Sequence, residues 1–222
     1  RWAAAFARFT DHFGRRGSPE TAVSAVRIGA SASEHGSRMT GVSDDRLIVA
    51  LGGGGFQFPP DNGALDTFLL ALARDHSGRD RPRICYIPTA SADSDSTLAD
   101  FYASFSRRAE PSHLALFDRT VDDLDVFLRA QDIVFIAGGN TANMLALWRL
   151  HGVDRALLAA WEAGVVMSGV SAGGICWFEG FTTDSFGPEL RAVRDGFGVL
   201  RGSFIPHYHG EAQRRPLFHG LV

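Results

Sequence analysis

One pentapeptide constrains this chain more than any other stretch of its sequence. The motif G-V-S-A-G at residues 169–173 follows an apolar run at residues 165–167 and precedes a mostly apolar segment that can turn helical. Strand, sharp turn and helix in this order are typical of a nucleophile elbow, with the serine at the apex of the turn. Glycines on either side suit the turn, because a Cβ there would clash where strand and helix approach. Ser171 is therefore a candidate nucleophile, and a simple helix N-cap is the alternative.

The chain around this motif alternates short apolar runs with helical patterns. Continuous apolar runs predict buried strands at residues 47–51, 84–87, 114–117, 133–137 and 165–167. Apolar residues at helical spacing predict helices at residues 64–75, 96–108, 122–129, 142–151 and 154–163. This alternation predicts an α/β fold with a mostly parallel sheet covered by helices on both sides. The active site of such a fold lies at the carboxyl ends of the strands.

The first 44 residues differ from the rest of the chain. Aromatic residues between Trp2 and Phe13 could line one face of a short helix, which Gly14 ends. Residues 18–45 are rich in Ser, Ala, Gly and Thr without sustained periodicity. We therefore predict an N-terminal extension, linker or disordered segment at residues 1–44, followed by an α/β domain at residues 45–222.

The composition of the chain argues against some classes of binding partner and favours one cellular compartment. A net charge of −3 and a pI near 6.2 argue against a nucleic-acid or anionic-membrane partner. No apolar run approaches the ~20 residues that span a bilayer. The two cysteines, Cys85 and Cys176, lie in apolar runs, and buried free thiols suit a reducing cytoplasm. We expect a cytoplasmic monomer or homodimer.

Cofactor and metal sites find little support in the sequence. The glycine run at residues 52–55 matches neither the dinucleotide-binding spacing nor a phosphate-binding loop, so we expect a tight turn beneath the active site and no cofactor. A metal site could be assembled from four residues near the C-terminus: His207, His209, Glu211 and His219. No helical H-E-x-x-H motif or cysteine pair supports it, so we expect no metal.

A serine nucleophile needs a base and a group that orients the base. His207 ends an apolar stretch, as a residue at a strand terminus would, and His209 is its nearby rival. The acidic residues between serine and histidine are Glu179, Asp184, Glu189 and Asp195. Asp184 suits the orienting role best, since it lies in a short polar loop soon after the elbow.

A second glycine-rich turn lies between the predicted strand 133–137 and the helix that follows it. In Gly138-Gly139-Asn140-Thr141, either Asn140 or Thr141 could simply cap that helix. An oxyanion hole, however, requires two backbone donors near the nucleophile. We expect the amides of Gly139 and Ala172 to be those donors.

Three motifs together, A-G-G-N-T at residues 137–141, G-V-S-A-G at 169–173 and P-H-Y at 206–208, resemble the peptidase E (aspartyl dipeptidase) family of serine peptidases. That family is related to cyanophycinases and, in fold, to class I glutamine amidotransferases. The resemblance implies a flavodoxin-like three-layer sandwich and a Ser–His–Asp/Glu triad. It makes Ser171 the nucleophile, His207 the base and Asp184 the acid, with Gly139 and Ala172 as the oxyanion hole.

The resemblance also implies a substrate: a short peptide, cleaved by a dipeptidase that prefers an N-terminal aspartate. Relatives with this preference carry an arginine shortly after the histidine, so Arg214 and Arg215 are candidate substrate-binding residues. The alternative is that the two arginines form an exposed basic pair. Asn140 is a further candidate substrate-binding residue. Because the family usually continues further, we expect the domain to be truncated at its C-terminus. The alternatives are a cyanophycinase-like hydrolase of β-linked aspartyl-arginine and a non-catalytic binding module on the same fold.

Overall fold

The fold is built on a six-stranded sheet. The computed structural model describes residues 23–29, 45–57, 63–208 and 210–219. In chain order the strands are β1 (Val23–Gly29), β2 (Asp45–Leu51), β3 (Arg83–Ile87), β4 (Glu110–His113), β5 (Ile133–Ile136) and β6 (Val166–Val170). They lie in the order β1-β2-β6-β5-β3-β4, with β1 antiparallel to β2 and every other pair parallel. The predicted α/β fold with a mostly parallel sheet is confirmed.

Helices lie in each connection from β2 to β6, as the alternation predicts. They are α1 (Gly63–Ser77), α2 (Asp95–Phe105), α3 (Leu124–Arg129), α4 (Thr141–His151) and α5 (Val153–Glu162). After β6 come the one-turn helix α6 (Ala172–Ile175) and a small second sheet, β8-β7-β9, made of β7 (Phe178–Thr183), β8 (Arg191–Val193) and β9 (Leu200–Phe204). Helix α7 (Arg214–His219) follows. Among the described helices, none has the length and apolar character to cross a membrane.

The core lies along the central strands and holds the loop beneath the site in place. All four residues of β5 and all five of β6 are buried, as expected for parallel strands covered on both faces. An aromatic cluster packs beside them with ring centroids 5.0–6.2 Å apart; its members are Phe56, Tyr86, Phe101, Phe105 and Phe135. Phe56 belongs to the loop after β2, so burial of its ring anchors that loop.

One predicted strand is in the wrong place. The apolar run at residues 114–117 predicts a strand, but the strand is β4, at Glu110–His113, and the run begins where it ends. Among the described strands β4 lies at the edge of the sheet and pairs with β3 alone, so its polar residues can remain partly exposed. Leu114 is buried, whereas the Phe117 side chain is 64% exposed. Edge position, which the local pattern does not encode, explains the difference.

Strand β1 lies in the part of the chain where the sequence predicts a linker. Its seven residues pair antiparallel with β2 along its whole length, from Val23 opposite Leu51 to Gly29 opposite Asp45. An edge strand needs only one partner, so a short segment with mixed apolar and polar residues suffices. The helix predicted between Trp2 and Phe13 lies outside the described residues.

Candidate active site

Ser171 stands at a strained corner between β6 and α6. Its φ of 52° and ψ of −112° are values that residues with a Cβ rarely adopt. The corner is held on both sides, because its amide donates to the Leu51 carbonyl (2.9 Å) and its carbonyl accepts from the Gly174 amide (2.9 Å). A Cβ built on Gly169 would lie 2.4 Å from the Gly173 carbonyl oxygen. The glycines of the motif are therefore required by the close approach of strand and helix.

His207 meets this serine from a turn after β9. Its Nε2 lies 3.0 Å from Ser171 Oγ, within hydrogen-bonding distance. The turn is fixed to the loop after β2, since the His207 amide donates to the Gly52 carbonyl (3.0 Å). His207 also has a positive φ, of 53°. With Nε2 unprotonated, the ring can take the hydroxyl proton as a general base.

The glycine turn after β5 lies against the elbow. Gly139 has a φ of 140°, and a Cβ there would lie 2.1 Å from the Ala90 carbonyl oxygen. The neighbouring amides are already engaged: Gly138 donates to Gln57 Oε1 (2.9 Å) and Asn140 to the Ala90 carbonyl (2.8 Å). The Gly139 amide donates to none of the residues that the structure describes.

Ala172 follows the serine directly and begins α6, so its amide has no acceptor within the helix. Its side chain is fully buried. A Cβ built on Gly138 would lie 3.3 Å from Ser171 Cβ, which places the turn after β5 beside the serine. Gly139 lines the pocket with Ser171 and Ala172 is the next residue in the chain, and the assignment of their amides as the donors of an oxyanion hole stays a prediction.

Asn140 both caps a helix and lines the pocket. Its Oδ1 accepts from the Asn143 amide (2.8 Å), so it is the N-cap of α4. Its Nδ2 donates to the Ser185 carbonyl at 3.3 Å, and Ser185 Oγ accepts from the Ala142 amide at 3.3 Å. These bonds join the loop after β7 to the start of α4, next to Gly139.

Asp184 lies at the rim of the same pocket. It is the first residue after β7, its side chain is exposed, and it lines the pocket together with Ser171 and His207. Its carboxylate makes no hydrogen bond to the His207 ring among those formed within the described residues. The assignment of Asp184 as the orienting acid stays a prediction.

The other acidic candidates have different places. Helix α6 is a single turn that ends before Glu179, so Glu179 lies on the following strand, β7. Its carboxylate accepts a hydrogen bond from the Gly202 amide (2.8 Å). Asp195 forms an ion pair with Arg149 at 2.7 Å. Glu189 is exposed in the loop between β7 and β8. None of the three lines the pocket around Ser171.

The structure separates the two candidate arginines. Arg214 is 5% exposed and lines the pocket, with its Nε 2.7 Å from Glu211 Oε2 and its Nη1 3.4 Å from the Thr182 carbonyl. Arg215 is exposed and stacks on the Tyr208 ring, with its guanidinium carbon 5.3 Å from the ring centroid. Arg215 is absent from the lining of the pocket, so Arg214 is the arginine placed near the serine.

The pocket has a volume of about 460 Å³, within the usual range for small-molecule sites. Its lining residues are Gly139, Asn140, Ser171, Asp184, Ser185, His207, Glu211 and Arg214. Within the described residues, no group of three His, Cys, Asp or Glu side chains could hold a metal ion. His209 and the side chain of His219 lie outside the described residues.

Three residues of the site were not singled out for these roles by the sequence. Glu211 follows His207 by four positions, a spacing that signals one turn of helix. Ser185 adjoins Asp184 in the predicted polar loop. Gln57, which holds the Gly138 amide, gives no signal, because its partner lies in a distant part of the chain.

Solved structures of low sequence identity share the fold. A protein described as a peptidase E from Listeria monocytogenes EGD-e has a TM-score of 0.53 at 18% identity, with 68% of this chain and 81% of that chain covered. A peptidase from an acI-B1 actinobacterium has a TM-score of 0.55 at 18% identity, with 73% and 68% covered. At this identity the likeness concerns the fold alone.

Sequence comparisons identify the family. The profile of Peptidase family S51 matches residues 48–222. The uncharacterized peptidase YgaJ of Bacillus subtilis (strain 168) is 48% identical over 178 residues, which cover 80% of this chain and 75% of that protein. The uncharacterized peptidase Lmo0363 of Listeria monocytogenes is 26% identical over 137 residues, which cover 57% and 65%. The profile match and the similarity to YgaJ both show that this chain belongs to Peptidase family S51.

Proposed function

We propose that this chain is a serine peptidase that hydrolyses short peptides through an acyl-enzyme. His207 Nε2 takes the proton of Ser171 Oγ, and the oxygen attacks the peptide carbonyl carbon. The amides of Gly139 and Ala172 stabilise the resulting oxyanion. The leaving amine takes the proton from His207 as the C–N bond breaks. Water then attacks the ester as His207 takes its proton, and His207 returns that proton to Ser171 Oγ as the acyl C–O bond breaks and the acid leaves.

The single observation that carries this proposal is the distance of 3.0 Å between Ser171 Oγ and His207 Nε2 at a strained elbow. A strained backbone persists only where its surroundings hold it, and such strain clusters at functional sites. We propose Asp184 as the third member of the triad, which would orient the imidazole and stabilise its charged form. Its position in the pocket supports this role.

We propose further that the enzyme is a dipeptidase with a preference for an N-terminal aspartate. Arg214 lines the pocket and could pair with the carboxylate of that residue, while Asn140 could hydrogen-bond to the peptide. A pocket of this size suits a ligand of a few residues.

Two measurements test the proposal. A fluorophosphonate probe should label the wild type and leave Ser171→Ala unlabelled, and hydrolysis of Asp-Leu should exceed that of Ala-Leu. Ser171→Ala should lower kcat by three orders of magnitude or more with little change in stability. Intact protein that neither reacts with the probe nor cleaves any peptide would be a binding module instead. Cleavage of β-linked aspartyl-arginine but not Asp-Leu would indicate a cyanophycinase-like hydrolase.

We propose a cytoplasmic location. Both cysteines are free and buried, and burial raises the pKa of the Cys85 thiol to about 12 and that of the Cys176 thiol further still. Free thiols of this kind are usual in a reducing compartment. Fractionation of the native host, with the protein found in the membrane or secreted fraction, would contradict this location.

A further inference from the structure

Arg214 is the one fixed positive charge among the described residues that line the active-site pocket. The same lining contains two carboxylates, those of Asp184 and Glu211. An acidic group of a substrate would therefore meet a single attractive charge and two repulsive ones. Whether the pocket favours such a group depends on how far Arg214 is already neutralised.

Glu211 neutralises part of that charge. Its Oε2 lies 2.7 Å from Arg214 Nε, and the exposed fractions of the two side chains are 36% and 6%. Arg214 Nη1 lies near the Thr182 carbonyl (3.4 Å) and its hydroxyl (3.5 Å). A guanidinium binds a carboxylate best through two parallel N–H groups. A substrate carboxylate must therefore share the guanidinium with Glu211 or displace it.

Backbone hydrogen bonds hold this pair independently of its charges. The Glu211 amide donates to the His207 carbonyl at 2.9 Å, and the Arg214 amide donates to the Glu211 carbonyl at 3.0 Å. These bonds form the turns between the general base and α7. The charge of Glu211 can thus be removed while the turn is kept.

We propose that Glu211 is a specificity-determining residue, whose carboxylate competes with the acidic side chain of a peptide for Arg214. It limits the preference of the pocket for an N-terminal aspartate over a neutral residue. This inference rests on the proposed function, in which Ser171 cleaves short peptides whose first side chain meets Arg214. Without the Glu211 charge, Arg214 is uncompensated and an acidic side chain binds better.

The test compares Glu211→Gln with a matched control. Glutamine keeps the size of the side chain and one oxygen acceptor, and it removes the charge. Glu162→Gln removes the same charge from an exposed site at the end of α5, at the opposite end of β6 from Ser171. The kcat/KM values for Asp-Leu and Ala-Leu are measured for both variants and the wild type. We expect the ratio of kcat/KM for Asp-Leu to kcat/KM for Ala-Leu to rise about fivefold in Glu211→Gln, which is the largest effect usual for a partly exposed ion pair. The same ratio should stay constant in Glu162→Gln.

A ratio that is unchanged or lower in Glu211→Gln overturns the inference. If neither the wild type nor any variant cleaves either dipeptide, the inference is tested by measuring binding affinities instead of rates. Calorimetry with Ser171→Ala, alone and combined with Glu211→Gln, compares the affinities for Asp-Leu and Ala-Leu without chemistry. A selective gain for Asp-Leu supports the role of Glu211 even where the proposed hydrolysis fails, and equal affinities or no binding overturn it. Loss of the folded circular dichroism spectrum in Glu211→Gln also overturns it, because the ion pair would then be a structural requirement.

Discussion

Ser171 and His207 lie 36 positions apart in the chain, and each adopts a positive φ, 52° and 53°, where Oγ and Nε2 meet at 3.0 Å. The amide of Ser171 bonds to Leu51, the last residue of β2, and the amide of His207 bonds to the adjacent Gly52. One strand end therefore fixes both members of the pair. The geometry of the pair therefore depends on the carboxyl end of β2, to which both turns are hydrogen-bonded.

Backbone strain at the elbow predicts that Ser171→Gly is more stable than Ser171→Ala. Both variants lose the hydroxyl and its contact with His207, but glycine tolerates the φ of 52° that alanine must still adopt. We expect glycine to be favoured by about 1 kcal/mol, since strain of 1–3 kcal/mol is partly offset by the greater entropy of unfolded glycine. Urea unfolding of both variants measures the difference. Alanine equal to or more stable than glycine would show that the corner is unstrained.

The proposed role of Asp184 as the orienting acid predicts a loss of turnover in Asp184→Asn. An asparagine cannot stabilise the charged imidazole that forms when His207 takes the serine proton, so kcat should fall at least ~10²-fold. Glu189→Gln, a charge loss at an exposed residue of the same loop region, should leave kcat unchanged. Steady-state kinetics on a cleaved dipeptide provide the measurement. Equal rates for Asp184→Asn and the wild type would remove Asp184 from the triad.

Close packing around the glycine turn predicts that Gly139→Ala is severely destabilising. The new methyl group would lie 2.1 Å from the Ala90 carbonyl oxygen, and the φ of 140° is unfavourable for alanine. Gly187→Ala is a matched comparison, because the φ there is 146° and no atom lies within 4 Å of the built Cβ. We expect a loss of about 3 kcal/mol or more at residue 139 and about 1 kcal/mol at residue 187. Thermal unfolding would contradict this account if both variants lost the same stability.

The buried carboxyl group of Asp66 should make the free energy of unfolding depend on pH. Its side chain is 4% exposed on α1 and accepts from the Phe56 amide at 3.3 Å, and burial raises its pKa from 3.8 to about 6. The folded state therefore holds this proton more tightly than the unfolded state. Its contribution to the free energy of unfolding is full below pH 4 and falls by roughly 3 kcal/mol as the pH rises through 6.

Asp66→Asn removes this titration. Relative to the wild type, we expect the variant to gain stability as the pH rises from 4 to 7, because asparagine stays neutral while Asp66 becomes charged in a buried site. Asp75→Asn, at an exposed position of the same helix, controls for the change in net charge. Urea midpoints at several pH values provide the measurement. If the difference in urea midpoint between the wild type and Asp66→Asn stayed constant across this pH range, Asp66 would not be the group that makes stability depend on pH.

His207 was separated from its rival His209 by the family resemblance, whereas the sequence alone predicted most of the alternation of strands and helices and the glycine-flanked turn at Ser171. These features are local: apolar runs mark buried strands, and glycines mark the turns whose crowding excludes a Cβ. The turn at Gly139 was predictable for the same reason, since a glycine pair followed by a helix cap is a short-range signal. Edge strands were not predictable in this way, because β1 and β4 depend on a neighbouring strand more than on their own composition.

Only the tertiary structure decided which charged residues share the pocket with the serine. Arg214 and Arg215 are adjacent in sequence, yet one is buried against Glu211 and the other stacks on Tyr208, because consecutive helical residues point in different directions. The contact of Gln57 with Gly138 spans 81 positions and likewise has no local signature. Local patterns determine where turns and strands form, whereas the packing of distant segments determines what each turn faces.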